Sequence, residues 1–165
     1  SIRTGGDAMD RAIVDYLKRH YSLRVSPSQA ERLKIDIGSA FPLANELSDE
    51  VRGVDAVGGL PRKATITSEE IREALEGPLE AIVDAVKATL EDCGTELASD
   101  LVDNGLVLAG GGSLLRSLDR YLDEQTGLPT RVMTDPLTAV ARGTQLCLEH
   151  FDRWRGAMRS SDEDV

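Results

Sequence analysis

The stretch Gly105–Leu115 reads Gly-Leu-Val-Leu-Ala-Gly-Gly-Gly-Ser-Leu-Leu, and it is the part of the sequence that decides the fold. A short apolar run meets three consecutive glycines, Gly110, Gly111 and Gly112, and leucines at helical spacing follow. This pattern predicts a buried strand, a tight turn and a helix. Bare glycine backbone lets a ligand approach closely, and a helix N-terminus favours an anion, so the arrangement is typical of nucleotide-binding loops.

The motif by itself leaves an alternative open. No lysine follows the glycines, as it would in the phosphate-binding loop of P-loop proteins, and Leu115 stands where the dinucleotide fingerprint G-x-G-x-x-G needs glycine. A strand-to-helix turn that binds nothing would have the same composition. A second, independent element is needed to favour a nucleotide site.

Composition excludes several classes of protein. The 165 residues carry a formal net charge of −10, which argues against a nucleic-acid partner because phosphate binding needs a basic surface. No apolar run approaches the length that crosses a membrane, so we expect no membrane insertion by this chain. The two cysteines lack metal-ligand spacing, and no pair of residues is marked as a catalytic acid and base. We therefore predict no metal site and no catalytic residue.

The hydrophobic periodicity predicts strands separated by helices near both ends of the chain, with a hairpin in the middle. This order favours an α/β core with parallel strand pairing and an inserted lobe. The predicted elements are a strand end at 1–4, a helix capped by Asp7, a helix from Ser26 to Gly38, strands at 51–57 and 62–67, a helix capped by Thr67 and interrupted at Gly77-Pro78, a further helix to Gly94, a short helix at 97–103, the strand and helix around the triple glycine, a strand at 130–133 and a last helix after Asp135-Pro136.

A second candidate element lies in the helix that begins at Ser26. Glu31 and Lys34 are three residues apart, so their side chains share one helix face. A carboxylate there can accept hydrogen bonds from ribose hydroxyls, and the lysine can reach a sugar, ring or phosphate. An ordinary solvated salt pair has the same spacing, and spacing alone does not separate the two interpretations.

Three stretches in this order resemble one family: residues 1–10 (SIRTGGDAMD), 30–40 (AERLKIDIGSA) and 106–116 (LVLAGGGSLLR). They resemble the C-terminal half of the MreB family of bacterial actin-like rod-shape proteins, over residues 1–152. The resemblance implies half of an actin/Hsp70-like ATPase fold, which is a ribonuclease H-like α/β subdomain with an inserted small α+β subdomain. Residues 1–25 and 95–152 would form the first (IIA-like), residues 26–94 the second (IIB-like), and residues 153–165 a disordered tail.

The same resemblance assigns the site. In the family, a Glu-Arg-x-Lys helix turn and a glycine triplet followed by a small residue touch the adenosine of ATP or ADP. These positions correspond here to two sets of residues: Glu31, Arg32, Leu33 and Lys34, and Gly110, Gly111, Gly112 and Ser113.

The resemblance also implies what this chain lacks. The family's phosphate- and magnesium-holding loops, and the residue that positions the attacking water, would precede Ser1, so Mg²⁺ is expected only in the full-length parent. Phosphoryl transfer depends on positioning and electrostatics, which half a cleft cannot supply. We therefore expect the parent to be a slow ATPase, and this chain alone to bind adenosine weakly or not at all and to be inactive.

The leading functional hypothesis is a fragment or shortened form of a cytoskeletal protein. Its parent would form filaments in the cytoplasm, under the membrane, and organise cell-wall synthesis, and a membrane-anchored RodZ-like adaptor would dock on the IIA-like subdomain. One alternative is a nucleotide-independent interaction module of the same family. Another is an Hsp70-like chaperone ATPase fragment, because Gly5-Gly6-Asp7 and the run 135–143 resemble chaperone segments.

Overall fold

The computed structural model describes residues 1–155, and its elements alternate helices with two separate small sheets. The α/β class and the parallel pairing predicted near the triple glycine are confirmed, because β4 and β5 pair in parallel. The elements are α1 (Gly6–Tyr21), β1 (Leu23–Arg24), α2 (Pro27–Ile37), β2 (Ser48–Asp55), β3 (Pro61–Thr67), α3 (Ser68–Glu91), α4 (Thr95–Asn104), β4 (Leu106–Leu108), a 3₁₀ helix (Gly111–Leu114), α5 (Leu118–Thr126), β5 (Thr130–Val132), α6 (Ala139–Glu149) and α7 (Phe151–Trp154).

The predicted hairpin is formed by β2 and β3, and β1 adds to β2 to give a three-stranded antiparallel sheet in the order β1-β2-β3. Val51 lies opposite Ala64 in this sheet, and the hairpin turn contains Gly59 in the left-handed conformation that glycine adopts without strain. Both helix starts predicted from capping boxes are confirmed. Ser26 and Thr67 each accept a hydrogen bond from the backbone amide three residues on, and the side chains at those positions reach back to the capping amides.

One continuous core joins α1, α2, the antiparallel sheet and the first part of α3. Its buried side chains are aliphatic, as the low aromatic content requires, and they include Met9, Ile13, Leu17, Leu33, Val51, Ile66, Ile71, Leu75 and Leu79. This core fixes the angle between α1 and α2, and these two helices form two walls of the cavity described below.

Two tyrosines on α1 tie that helix to α3. Tyr16 donates a hydrogen bond to Glu73 Oε2 at 2.8 Å, and Tyr21 donates one to Glu70. Burial, with the Glu73 hydrogen bond, raises the pKa of Tyr16. The hydrogen bond to Glu70, helped by burial, raises the pKa of Tyr21 to about 12. Both phenols therefore stay protonated and hold α1 against α3 far above neutral pH.

Two predictions at the start of the chain are wrong. Residues 1–4 form no strand, because within residues 1–155 no strand lies alongside them to complete a hydrogen-bonded ladder. Asp7 is not the cap of α1. Gly5 occupies the cap position in an extended conformation, and Asp7 lies in the first turn, where a carboxylate still suits the helix dipole.

The predicted break at Gly77-Pro78 is also wrong, since α3 runs through both residues. A proline inside a helix costs a hydrogen bond and about 3 kcal/mol. Leu75 and Leu79, on either side of the pair, are both buried in the core. Their burial outweighs the local preference, so the two predicted helices are one.

α6 lies where the sequence predicts the last helix, but its side chains are more exposed than the prediction implies. α6 has the predicted apolar stripe, but none of its side chains is buried within the described residues. Two residues of the predicted tail, 153–165, are helical instead, because Arg153 and Trp154 complete α7 and their amides donate hydrogen bonds to His150 O. Residues 156–165 lie outside the described part of the chain.

Candidate functional site

A cavity of about 490 Å³ lies between the N-terminal end of α1, one face of α2, and the glycine turn, defined as residues 110–114. Its volume is within the range of small-molecule pockets. The cavity brings together four of the eight predicted site residues, namely Glu31, Lys34, Gly111 and Gly112. It is lined by these four together with Gly6, Asp7, Met9, Asp10, Ile35, Leu114, Leu115 and Leu137.

The capping box at Ser26 sets where α2 begins and therefore which face meets the cavity. Residues three and four apart share a helix face, which places Glu31, Lys34 and Ile35 on the cavity side. Glu31 is exposed, so its carboxylate is available to hydroxyl donors. The helix therefore presents a carboxylate, an ammonium group and an apolar side chain to one space.

The other two residues of the predicted helix turn lie outside this cavity. Leu33 is completely buried in the core. Arg32 turns toward the hairpin, where it donates a hydrogen bond to Glu50 O at 3.0 Å and pairs with Asp49 at 3.2 Å. Neighbouring residues on a helix are rotated by about 100°, so the side chains of Arg32 and Leu33 point to other surfaces than those of Glu31 and Lys34.

Lys34 is largely occupied by protein groups. Its Nζ lies 2.7 Å from Asp10 Oδ1 and donates a hydrogen bond to Gly6 O at 3.2 Å, and both charged side chains are mostly buried. This pair links α2 to α1 at the floor of the cavity. Lys34 therefore neutralises Asp10 and fixes the spacing of two walls, and it has limited capacity left for a ligand.

The glycine turn is a short 3₁₀ helix rather than the start of a long α-helix. Gly110 has φ +82°, and Ser113 N donates to Gly110 O, an i to i+3 bond that closes the turn. Three residues, Leu115, Arg116 and Ser117, separate this turn from α5, and Ser117 has a left-handed conformation. The α-helix whose N-terminal end lines the cavity is α1, through Gly6 and Asp7.

Within the turn the four predicted residues have different roles. A Cβ built on Gly112 meets nothing within 4 Å, so its bare backbone faces open space, while one on Gly111 would lie 3.3 Å from Leu137 Cδ2. Gly110 N donates to Pro136 O at 2.8 Å, and the buried Ser113 donates its hydroxyl to Gly110 O at 2.7 Å. Gly110 and Ser113 shape the turn, and Gly111 and Gly112 line the cavity.

Three exposed apolar side chains at the cavity were missed by sequence reasoning. Ile35 is 62% exposed, and Leu114 and Leu137 are more than half exposed. Ile35 could have been found, because it lies four residues after Glu31 and so faces away from the core with it. Leu114 and Leu137 lie in stretches predicted as helix, whereas the 3₁₀ turn and the loop before α6 bring them to the cavity.

Two further observations concern metal ligands and membrane-spanning helices. Within residues 1–155, no group of three or more His, Cys, Asp or Glu side chains is arranged to hold a metal ion. In the same part of the chain, none of the helices combines the length and the apolar composition needed to span a bilayer.

Comparisons with known proteins agree on one family. The sequence profile described as MreB/Mbl protein matches residues 1–156. The cell shape-determining protein MreB of Escherichia coli (strain K12) is 49% identical over 162 residues, which cover 98% of this chain and 47% of that protein. The chain spans about half the length of the curated relatives it matches.

Solved structures agree with the half actin-like fold that the sequence predicted. The crystal structure of MreB5 of Spiroplasma citri bound to ADP has a TM-score of 0.88 at 37% identity, over 91% of this chain and 46% of that chain. The MamK double helical filament has a TM-score of 0.76 at 23% identity, over 90% and 45%, which is a likeness of fold alone.

Proposed function

Because the chain belongs to the MreB/Mbl protein family, we propose that it binds the adenosine part of ATP or ADP in the cavity between α1, α2 and the glycine turn. The observation that carries the proposal is the convergence of Glu31, Gly111 and Gly112 on one cavity, although 80 residues of sequence separate the first two. The related MreB5 structure contains ADP, which supports a nucleotide as the ligand class.

The lining residues suit the parts of adenosine. The Glu31 carboxylate can accept hydrogen bonds from two adjacent ribose hydroxyls. Ile35, Leu114 and Leu137 offer apolar surface to the faces of the base, and the bare backbone at Gly112 leaves room for close approach. Arg32, Leu33, Gly110 and Ser113 contribute by holding the two walls in place rather than by contact.

The phosphates would leave the cavity past the N-terminal end of α1, where the helix dipole favours negative charge. Lys34 already neutralises Asp10 there. Phosphoryl transfer needs groups that position a nucleophile and metal ions that spread the developing charge. We propose that residues 1–155 hold a nucleotide without cleaving it and that Mg²⁺ binds in the full-length parent protein.

The remaining functions rest on family membership. We propose that the parent is a filament-forming, slow ATPase that acts in cell shape, in the cytoplasm and at the membrane surface. The name of the E. coli relative, a cell shape-determining protein, supports the role in cell shape. We also propose that residues 1–25 and 95–152 form a IIA-like subdomain that docks a membrane-anchored RodZ-like adaptor, and that residues 26–94 form a IIB-like one.

The adenosine proposal can be tested by NMR titration of the 165-residue chain. Adenosine and ADP should shift the amide signals of Glu31, Ile35, Gly111 and Gly112, with a dissociation constant of about 1 mM, or some 4 kcal/mol of binding. Glu31→Gln should weaken adenosine binding and leave the binding of free adenine unchanged, because only the ribose would contact the carboxylate. Asp36→Asn, an exposed carboxylate on α2 outside the cavity, is the matched control.

Two results would refute the proposal. One is the absence of saturable shifts at these four residues with about 10 mM ADP, which would leave less than about 3 kcal/mol for the interaction. The other is equal weakening of adenosine binding by the control variant, which would mean that general charge, rather than Glu31, attracts the ligand.

A further inference from the structure

Arg116 connects the two walls of the cavity across a long stretch of sequence. It lies just after the glycine turn, and its guanidinium reaches the C-terminal end of α2. Nη1 donates a hydrogen bond to Ile35 O at 2.8 Å and another to Gly38 O at 3.2 Å. Ile35 is itself a lining residue, so this contact holds the backbone at the cavity wall.

The main chain of Arg116 makes a second connection to the same place. Ala40 N donates to Arg116 O at 2.8 Å, and Ser39 and Arg116 form an isolated parallel bridge. Ser39 is fully buried, and its hydroxyl donates to Phe41 O, which fixes the segment after α2. One residue therefore holds the end of α2 by its side chain and the following segment by its backbone.

The chemistry of the contact suits arginine in particular. The last carbonyls of a helix have no intrahelical donor and carry the negative end of the helix dipole. A guanidinium is planar and always charged, and the two hydrogens on Nη1 can bond one such carbonyl, Ile35 O, together with Gly38 O just after the helix. A lysine has a single ammonium on a flexible stem and would hold the pair less firmly.

We propose that Arg116 is a positioning residue that holds α2 against the glycine turn and thereby sets the width of the adenosine cavity. The effect on adenosine binding rests on the proposed function, whereas the contact between Arg116 and α2 does not depend on a nucleotide. Lys34 and Asp10 fix α2 to α1 on one side, and Arg116 fixes it to the glycine turn on the other. Arg116 does this without itself lining the cavity.

The test compares Arg116→Ala, Arg116→Lys and a control, Arg142→Ala, in the 165-residue chain. Arg142 is an exposed arginine on α6 that does not line the cavity, so its loss removes a surface guanidinium without touching α2 or the segment after it. Three quantities are measured by NMR and urea unfolding: the exchange rate of the Ala40 amide, the dissociation constant for adenosine, and global stability.

Loss of a charge-assisted pair of hydrogen bonds should speed Ala40 exchange and weaken adenosine binding by about tenfold each in Arg116→Ala. Arg116→Lys should recover part of both effects. Arg142→Ala should leave all three quantities unchanged. Weaker adenosine binding by folded Arg116→Ala, partly recovered by lysine, is a result that a role in global stability alone would not produce.

The outcomes separate this inference from the proposed function. Unchanged Ala40 exchange in Arg116→Ala would overturn the positioning role. Faster exchange with unchanged adenosine affinity would overturn the link to cavity width. If the unaltered chain fails to bind adenosine, the proposed function fails, and faster Ala40 exchange in Arg116→Ala would still support the role of Arg116 in holding α2.

Discussion

Replacing Leu33 by alanine separates the role that family resemblance gives this residue from the role the structure gives it. The resemblance places Leu33 among residues that touch adenosine, whereas its side chain is completely buried in the core between α1, α2 and the antiparallel sheet. Ile35, two positions along the same helix, is 62% exposed and lines the cavity. The pair Leu33→Ala and Ile35→Ala therefore tests the two sides of α2 with changes of similar size.

The expected magnitudes follow from burial. A fully buried leucine cut to alanine loses transfer free energy and leaves a void, which together cost about 3 kcal/mol. For a chain of 165 residues this corresponds to a fall of about 6–12 °C in Tm. Ile35→Ala removes an exposed group and improves helix propensity, so stability should change by no more than about 0.5 kcal/mol.

Urea unfolding followed by circular dichroism measures stability, and the NMR titration measures adenosine affinity. Leu33→Ala should be destabilised with nearly unchanged affinity of the folded fraction. Ile35→Ala should be as stable as the unaltered 165-residue chain and should bind adenosine several-fold more weakly. The reasoning is refuted if Leu33→Ala loses less than about 1 kcal/mol, or if Ile35→Ala is as destabilised as Leu33→Ala.

Other parts of the structure give three further predictions. Since the pKa of Tyr21 rises from 10.0 to about 12 in the fold, its contact with Glu70 should stabilise the protein fully below pH 10 and be lost as pH rises to about 12. A pH series of urea midpoints should show this decline, and Tyr21→Phe should make it shallower, leaving the part that the raised pKa of Tyr16 contributes. Gly105→Ala should lower stability by more than about 2 kcal/mol, because φ is +68° and the new Cβ would lie 1.9 Å from the backbone oxygen of Pro129. Gly77→Ala, with open space around it in the middle of α3, should raise stability by about 0.5 kcal/mol. Thermal melts measure both variants, and equal effects would contradict the backbone argument. Lys34→Met should lower the free energy of unfolding by about 3 kcal/mol, because it leaves the mostly buried Asp10 carboxylate unpaired. Adding Asp10→Asn to the same chain should restore part of this loss. Additive losses in the double-mutant cycle would show that the ion pair is not formed.

Local signals predicted elements well wherever a chemical device fixes a boundary. The Ser26 and Thr67 capping boxes and the glycine at 38 mark helix ends where the structure has them. They succeed because a cap satisfies backbone groups within a few residues, without help from the rest of the fold. The antiparallel hairpin was predictable for the same reason, since its alternation and its glycine turn are local.

Prediction failed where distant contacts override a local preference. Pro78 should interrupt a helix, but the buried leucines on both sides keep α3 continuous. The triple glycine should open a long helix, but Ser39 and Ala40 pair with Arg116 and limit the turn to four residues of 3₁₀ helix. No window of sequence contains both partners of these contacts, so no local pattern can report them.

Motif order and helical spacing can be seen in the sequence, so they were enough to predict the family, the α/β class and the two segments that meet at the cavity. They do not show which residues of those segments face the cavity, because that depends on tertiary packing. Leu33 and Arg32 turn away, Ile35 and Leu137 turn in, and Lys34 is held by Asp10. The physical reason is that a side chain's direction depends on how its helix is rotated against its neighbours, and that rotation is set by packing between residues far apart in sequence.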